Sequence, residues 1–342
     1  MAFFYKDSFS VSELQKDYNF NGIDLIKFVC TYMICAIHIS PFYPNTDLAK
    51  DINFYIQNGF CRVAVPFYFV TSGFLLFRKI NSLYTSNFEI IKKYCFKILR
   101  LLGTWTFILF GGGTDHLWYL GASALAVILV GFAFKTKLKT TYIILIAIIL
   151  YIIGLLGDSY YTSLSSLKAY PFTKFIIDSY DSIFKTTRNG IFFGFIFILM
   201  GSLFAHKKIT INNTVAFLGL FISLGLLFME VYFIKNFSRS KNYNMLISLV
   251  PTVFFMFYIA YHMPLKNHPI FKELRNVSVL IYFTHIYVGY FVDFILSFFA
   301  KLGFNFMKWE FIMTILIVTL LSITIEWLSK KDRFHLLKYL YS

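Results

Sequence analysis

Apolar residues fall into ten runs along the chain, separated by stretches rich in polar and charged side chains. The runs are about 17–22 residues long, close to the length that a helix needs to cross a bilayer. They cover approximately residues 23–41, 58–77, 95–112, 117–134, 141–157, 189–205, 213–233, 245–264, 277–300 and 309–328. We therefore predict an all-α polytopic membrane protein, a bundle of about ten transmembrane helices. Residues 1–342 are predicted to form one membrane domain, with 1–22 before the bundle of 23–328 and 329–342 after it.

Composition and charge support this prediction. The chain is 58% hydrophobic and 21% aromatic, which is more apolar surface than a soluble domain of 342 residues could bury. If the N-terminus is cytoplasmic, twenty lysine and arginine residues lie in inner segments and eleven in outer ones. This bias follows the positive-inside rule and predicts that both termini are cytoplasmic. Topology and contact with anionic membrane lipid explain the net charge of +15, so no nucleic-acid partner is expected.

The first apolar run contains two titratable side chains, Lys27 and His38. Their spacing of eleven residues places them on one helix face, about 16 Å apart along the axis. Charged or titratable groups at membrane depth usually face a protein interior or a cavity. The predicted topology puts Lys27 toward the cytoplasmic surface and His38 toward the outer one. A lysine that reaches the headgroups and a structural histidine are the alternatives.

Three further basic side chains are predicted at the depth of His38. Arg62 begins the second span, His116 the fourth and Arg188 the sixth, each at the outer side. We predict that His38, Arg62, His116 and Arg188 form a catalytic site there. For His116 and Arg188, the alternative is an ordinary interfacial position at a helix end. The four cysteines include no Cys-x-x-Cys pair, and neither a disulfide nor a metal site is predicted.

Four motifs follow one another along the chain: Lys27-x10-His38, the segment Arg62 to Leu75, His116-Leu-Trp-Tyr-Leu120, and Ser278-Val-Leu-Ile-Tyr-Phe-Thr-His285. In this order, on a ten-span pattern, they resemble the acyltransferase-3 family of integral membrane acyltransferases. The likeness runs over most of the chain. Lys27 stands where the family usually has arginine, which keeps the charge but loses the bidentate fork.

The resemblance implies an O-acyltransferase of the bacterial plasma membrane. Its donor would be acetyl-CoA or another acyl-CoA, and its acceptor a hydroxyl of a cell-envelope glycan, with a surface polysaccharide as the leading expectation. By this resemblance His38 and Lys27 occupy essential positions. We expect Lys27 to bind donor phosphate and His38 to act as general base or to carry the acyl group. Arg62 and Arg188 would stabilise an oxyanion or bind an anionic acceptor.

Intramembrane charges are also typical of transporters, so a flippase or exporter of a sugar or lipid-linked glycan is the alternative function. Such proteins often have repeated halves with paired broken helices. No such repeat is visible in the sequence, which favours the enzyme. A catalytically idle scaffold for envelope synthesis is a third class.

Overall fold

The computed structural model describes residues 20–80, 88–108, 114–238 and 240–342, and in these ranges every regular element is helical. The all-α prediction is therefore confirmed. The α-helices are α1 (Asn21–His38), α2 (Asp47–Asn58), α3 (Ala64–Phe77), α4 (Phe88–Ile108), α5 (Trp118–Lys135), α6 (Thr140–Leu156), α7 (Tyr161–Ser166), α8 (Pro171–Ile183), α9 (Phe195–His206), α10 (Asn213–Phe237), α11 (Leu249–His262), α12 (Ile270–Lys301) and α13 (Glu310–Ser329). Shorter 3₁₀ turns are Phe60–Val63, Thr114–Leu117, Leu167–Ala169, Met307–Trp309 and Asp332–Leu340, and Gly190–Gly194 is a π-helical turn.

A helix lies at each of the ten predicted spans, but fewer are long and apolar enough to cross a membrane alone. In the described ranges, five helical segments are long and apolar enough to cross a membrane. They are Asp47–Phe77, Trp118–Lys135, Asn213–Phe237, Ile270–Lys301 and Met307–Ser329. Thr140–Leu156 with Tyr161–Ala169, bent by 82°, would make a sixth. Ten spans and cytoplasmic termini stay predictions. Most of the predicted segment 1–22, and the end of the predicted span 95–112, lie outside the described residues.

Helices α3 and α9 cross with their backbones in contact. A Cβ atom on Gly201 would lie 2.1 Å from the carbonyl oxygen of Val70, and one on Gly73 would lie 2.3 Å from that of Ile198. Small residues permit such close approach between membrane helices. The crossing holds α3, which follows the turn that carries Arg62, at the centre of the bundle.

We expect Gly201→Ala to destabilise the protein by about 1–3 kcal/mol, because the added methyl group would overlap backbone atoms of α3. The thermal unfolding midpoint of the detergent-solubilised protein measures this effect. Gly225→Ala is the matched control, since no atom lies within 4 Å of the Cβ position there, and alanine is the better helix former. Equal midpoints for the two variants would contradict the expected overlap.

Helix α1 is held against α12 and α13 by apolar packing and by an ion pair. Cys35, Ile281 and Val318 are fully buried in the cluster that these three helices share. The buried carboxylate of Asp24 accepts hydrogen bonds from Nε and Nη2 of Arg275, the first at 2.8 Å. A buried charge is tolerated when it is paired in this way. The position of α1, and of the His38 that ends it, is therefore set by α12.

The start of α12 also binds the segment that follows α13. Lys330 donates to Glu273 at 2.7 Å and pairs with Glu326 at 2.9 Å. These two carboxylates raise the pKa of Lys330. The contact joins the ends of α12 and α13 on the side of the bundle away from His38.

Candidate functional site

A small cleft, with a cavity volume of about 40 Å³, lies where the end of α1 meets the starts of α3 and α5. Its lining residues are Ile34, Ile37, His38, Arg62, Val65, His116, Trp118, Tyr119, Arg188, Phe193, Asn244 and Tyr282. The structure thus brings together all four residues predicted as catalytic. Their catalytic role stays a prediction, but they share one cavity.

Three histidines meet at the base of this cleft. The ring of His285 lies beside the other two, with its centroid 5.3 Å from that of His38 and 5.6 Å from that of His116. His38 is exposed at the cleft, whereas His116 and His285 are buried. Among the described residues, no group of three or more His, Cys, Asp or Glu side chains could hold a metal ion. An imidazole can take up and release a proton near neutral pH, which is the chemistry that the three rings offer.

His285 has a defined hydrogen-bonding state. Its Nδ1 lies 2.9 Å from the carbonyl oxygen of Tyr282 and 3.1 Å from that of Ile281. Because a carbonyl oxygen only accepts, Nδ1 carries the hydrogen. Its Nε2 is buried and has no hydrogen-bond partner among the described residues. A neutral His285 therefore presents a vacant acceptor nitrogen beside the two other rings.

Arg62 lies in the 3₁₀ turn that separates α2 from α3. Pro66 falls in the first turn of α3, where its missing N–H costs no helical hydrogen bond. The guanidinium of Arg62 donates from Nη1 to Oδ1 of Asn244 and from Nη2 to Oδ1 of Asn58, both at 2.8 Å. Two neutral amides thus fix its position at the cleft.

Arg188 is placed by the π-helical turn that follows it. Asn189 caps this turn by accepting from the backbone N–H groups of Ile191 and Phe192. A Cβ on Gly190 would lie 2.5 Å from the carbonyl oxygen of Ala122, so only glycine allows the turn to approach α5 this closely. The guanidinium of Arg188 consequently lies over the ring of Trp118, 4.7 Å from its centroid. Turns of this type are frequent at functional sites.

Asn244 and Asp158 connect the two arginines to the backbone. Oδ1 of Asn244 accepts from Arg62 at 2.8 Å and from Nη1 of Arg188 at 3.4 Å, while its Nδ2 donates to Oδ2 of Asp158 at 3.0 Å. Oδ1 of Asp158 accepts from the backbone N–H groups of Asn244 and Met245. The buried carboxylate therefore orients Asn244, which in turn holds both guanidiniums.

Lys27 lies outside this cleft. Its side chain is 9% exposed, and its amine lies over the ring of Tyr68, 5.4 Å from the centroid. The Tyr68 hydroxyl donates to the backbone carbonyl of Lys27 at 3.0 Å and is 2.5 Å from the hydroxyl of Thr31. The rings of Tyr68, Tyr119 and Tyr282 pack together, with centroids 6.1 to 6.5 Å apart. This tyrosine layer separates Lys27 from the cleft, since Tyr119 and Tyr282 also line the cleft.

Three residues of the site were not among the predicted catalytic set: His285, Asn244 and Asp158. His285 had a signal, because it lies within an apolar run and in the last of the four motifs. Asn244 and Asp158 had none, since they are 86 residues apart and lie in polar connections between helices.

Comparisons with known proteins show that the chain belongs to an acyltransferase family. A family model described as an acyltransferase domain matches residues 20–330. An amino-acid racemase of Enterococcus faecalis is 30% identical over 298 residues, which are 78% of this chain and 39% of that protein. A serine/alanine racemase of Enterococcus gallinarum is 30% identical over 304 residues, 78% of this chain and 40% of that protein. The chain thus spans about two fifths of the length of these curated relatives. No solved structure matches it.

Proposed function

We propose, from the premise that the chain belongs to the acyltransferase-3 family, that it moves an acetyl group from cytoplasmic acetyl-CoA to a hydroxyl of a cell-envelope glycan. The family match confirms the resemblance of the four motifs. The observation that supports the finer proposal is the cleft, where His38, His285 and His116 lie beside two guanidiniums. Ten spans, cytoplasmic termini and a bacterial plasma membrane belong to the same proposal.

His38 acts as general base in this mechanism. Its imidazole takes the proton from the acceptor hydroxyl as the oxygen attacks the thioester carbonyl carbon. A neutral imidazole has an acceptor nitrogen that can take this proton, which is the ordinary part of a general base. The tetrahedral oxyanion forms in the positive potential of Arg62 and Arg188. When the intermediate collapses, the C–S bond breaks and His38 returns the proton to the thiolate of coenzyme A.

His285 acts as a positioning residue for His38. Its vacant Nε2 can accept the N–H of a neighbouring imidazole, which would orient that ring and stabilise its protonated form. His285 is itself buried, and its Nδ1 is bound to the backbone of its own helix. It can therefore hold a fixed orientation while His38 meets the substrates.

Lys27 binds the donor on the other side of the tyrosine layer. The distance of about 16 Å along α1 suits an elongated thioester whose phosphates lie near Lys27 and whose acyl end reaches His38. Because Tyr68 stands between these positions, the proposal requires the Tyr68 side chain to move when the donor binds.

We expect Lys27→Gln to raise the KM for acetyl-CoA about tenfold, because one charge-assisted hydrogen bond to phosphate is lost. Lys27→Arg should stay close to wild type, and kcat should change little in both variants. Glutamine is the better test than glutamate, since a buried carboxylate one turn from Asp24 would be unpaired. A wild-type KM for Lys27→Gln would reject the phosphate role.

The proposed reaction is tested with the purified chain in liposomes and acetyl-CoA labelled in the acetyl group. Transfer of label to envelope polysaccharide, or hydrolysis of the thioester, supports the enzyme. Movement of an unmodified glycan into the liposomes without acetyl transfer would support the transporter instead. The racemase names belong to relatives more than twice as long as the matched region.

A further inference from the structure

Two positive charges in the cleft are directed at one neutral oxygen atom. Nη1 of Arg62 and Nη1 of Arg188 both donate to Oδ1 of Asn244. The second terminal nitrogen of Arg62 donates to another neutral oxygen, that of Asn58. Like charges brought close together in a partly desolvated site oppose one another. An anion that enters the cleft would offset the repulsion between the two guanidiniums.

The carboxylate of Asp158 acts on the pair through Asn244, and no ion pair joins it to Arg62 in the described part of the chain. Oδ1 of Asp158 accepts from the N–H groups of Asn244 and Met245 and from the hydroxyl of Ser159, at 2.8 to 3.1 Å. Its Oδ2 accepts from the side chain of Asn244. Within the described part of the chain, Arg62 pairs with amide oxygens only, and its Nε is buried without a hydrogen-bond partner.

We propose that Arg62 and Arg188, held by Asn244, bind an anionic group on the acceptor, either a carboxylate or a phosphate. The substrate class is then an acidic hydroxylated sugar, and Asn244 is the residue that sets the spacing of the guanidiniums. Bidentate pairing with arginine favours the planar or tetrahedral oxygens of these anions. The inference rests on the proposed function, because it names the acceptor of that same site.

The test is a binding assay on the full chain in lipid nanodiscs, without acyl transfer. Methyl glucuronide and methyl glucoside differ in one carboxylate and share the remaining ring hydroxyls. Binding is followed by the fluorescence of Trp118, which lines the cleft beneath Arg188, with Trp118→Phe to identify its signal. We expect the glucuronide to bind at least about tenfold more tightly than the glucoside, and we expect this preference to weaken as salt is added.

Variants distinguish an effect of charge in the cleft on binding from an effect of misfolding. Asn244→Asp would place a carboxylate between the guanidiniums, and Arg62→Gln would remove one charge but keep an amide donor. Each is expected to reduce glucuronide affinity at least tenfold with little change for the glucoside. Asn236→Asp, at an exposed position on α10, adds the same charge away from the cleft and should leave the preference intact.

The inference would be overturned by equal affinity for the two glycosides, by no saturable glucuronide binding, or by an unchanged preference in Arg62→Gln. Displacement of the glucuronide by acetyl-CoA would also overturn it, because the anion bound there would then be the donor phosphate. Since no transfer is measured, any of these results leaves the test of the proposed reaction with labelled acetyl-CoA unaffected.

Discussion

Replacing His38 with alanine is expected to lower acyl transfer by about 10²- to 10⁴-fold, the contribution typical of a general base. His38 is exposed at the cleft at the end of α1, so its removal leaves the apolar packing of that helix in place. The measurement is transfer of labelled acetyl from acetyl-CoA by the reconstituted variant. Its melting midpoint, determined in parallel, should match that of the wild type.

The control for this loss is His335→Ala. That histidine is exposed in the 3₁₀ turn after α13, where its Nδ1 lies near the backbone carbonyl of Asp332. The control should keep wild-type transfer. If His38→Ala transferred acetyl at the wild-type rate, then neither the general-base role nor an acyl-histidine intermediate could stand.

Replacing His285 should have the second largest effect. We expect His285→Leu to reduce kcat by about 10²-fold and to leave the KM for the acceptor nearly unchanged, because His285 is buried behind His38 and reaches the reaction only through it. His285→Gln should recover part of the loss, since its amide can offer an acceptor near the position of Nε2.

Steady-state kinetics of the two variants, with kcat and KM determined separately, measure this prediction. If His285 had only a structural role, both variants would yield less folded protein. The kcat per folded molecule would then be the same for His285→Leu and His285→Gln. A pH profile is the second readout. Loss of the imidazole partner should move the pH dependence of kcat in His285→Leu, whereas an unchanged profile with full activity would exclude His285 from the mechanism.

The predicted residues differ in how well they could be placed from the sequence. The sequence predicts one depth for His38, Arg62, His116 and Arg188, because each lies at a fixed end of an apolar run and depth follows from counting residues along a helix. The structure finds these four in one cleft. Lys27 was placed on the same face of α1 as His38, but that face is divided by Tyr68.

The partners of those residues could not be predicted in the same way. Asn244 lies 182 residues from Arg62 and 56 from Arg188, and it belongs to no periodic pattern in the sequence that would single it out. The π-helical turn after Arg188 depends on the close approach of Gly190 to α5, which is a tertiary contact. His285 is part of a motif, but its contacts with two other histidines depend on the packing of α12 beside α1.

The helical class and the positions of the helices are thus predicted by the sequence itself. The reason is local: the cost of exposing backbone and charge to lipid acts residue by residue and leaves a readable pattern. The tertiary structure alone decided which polar atoms meet, how the two guanidiniums are held, and that tyrosine side chains separate Lys27 from the cleft. Those features depend on hydrogen bonds and contacts between segments that are distant in the sequence, and the hydropathy pattern does not predict such contacts.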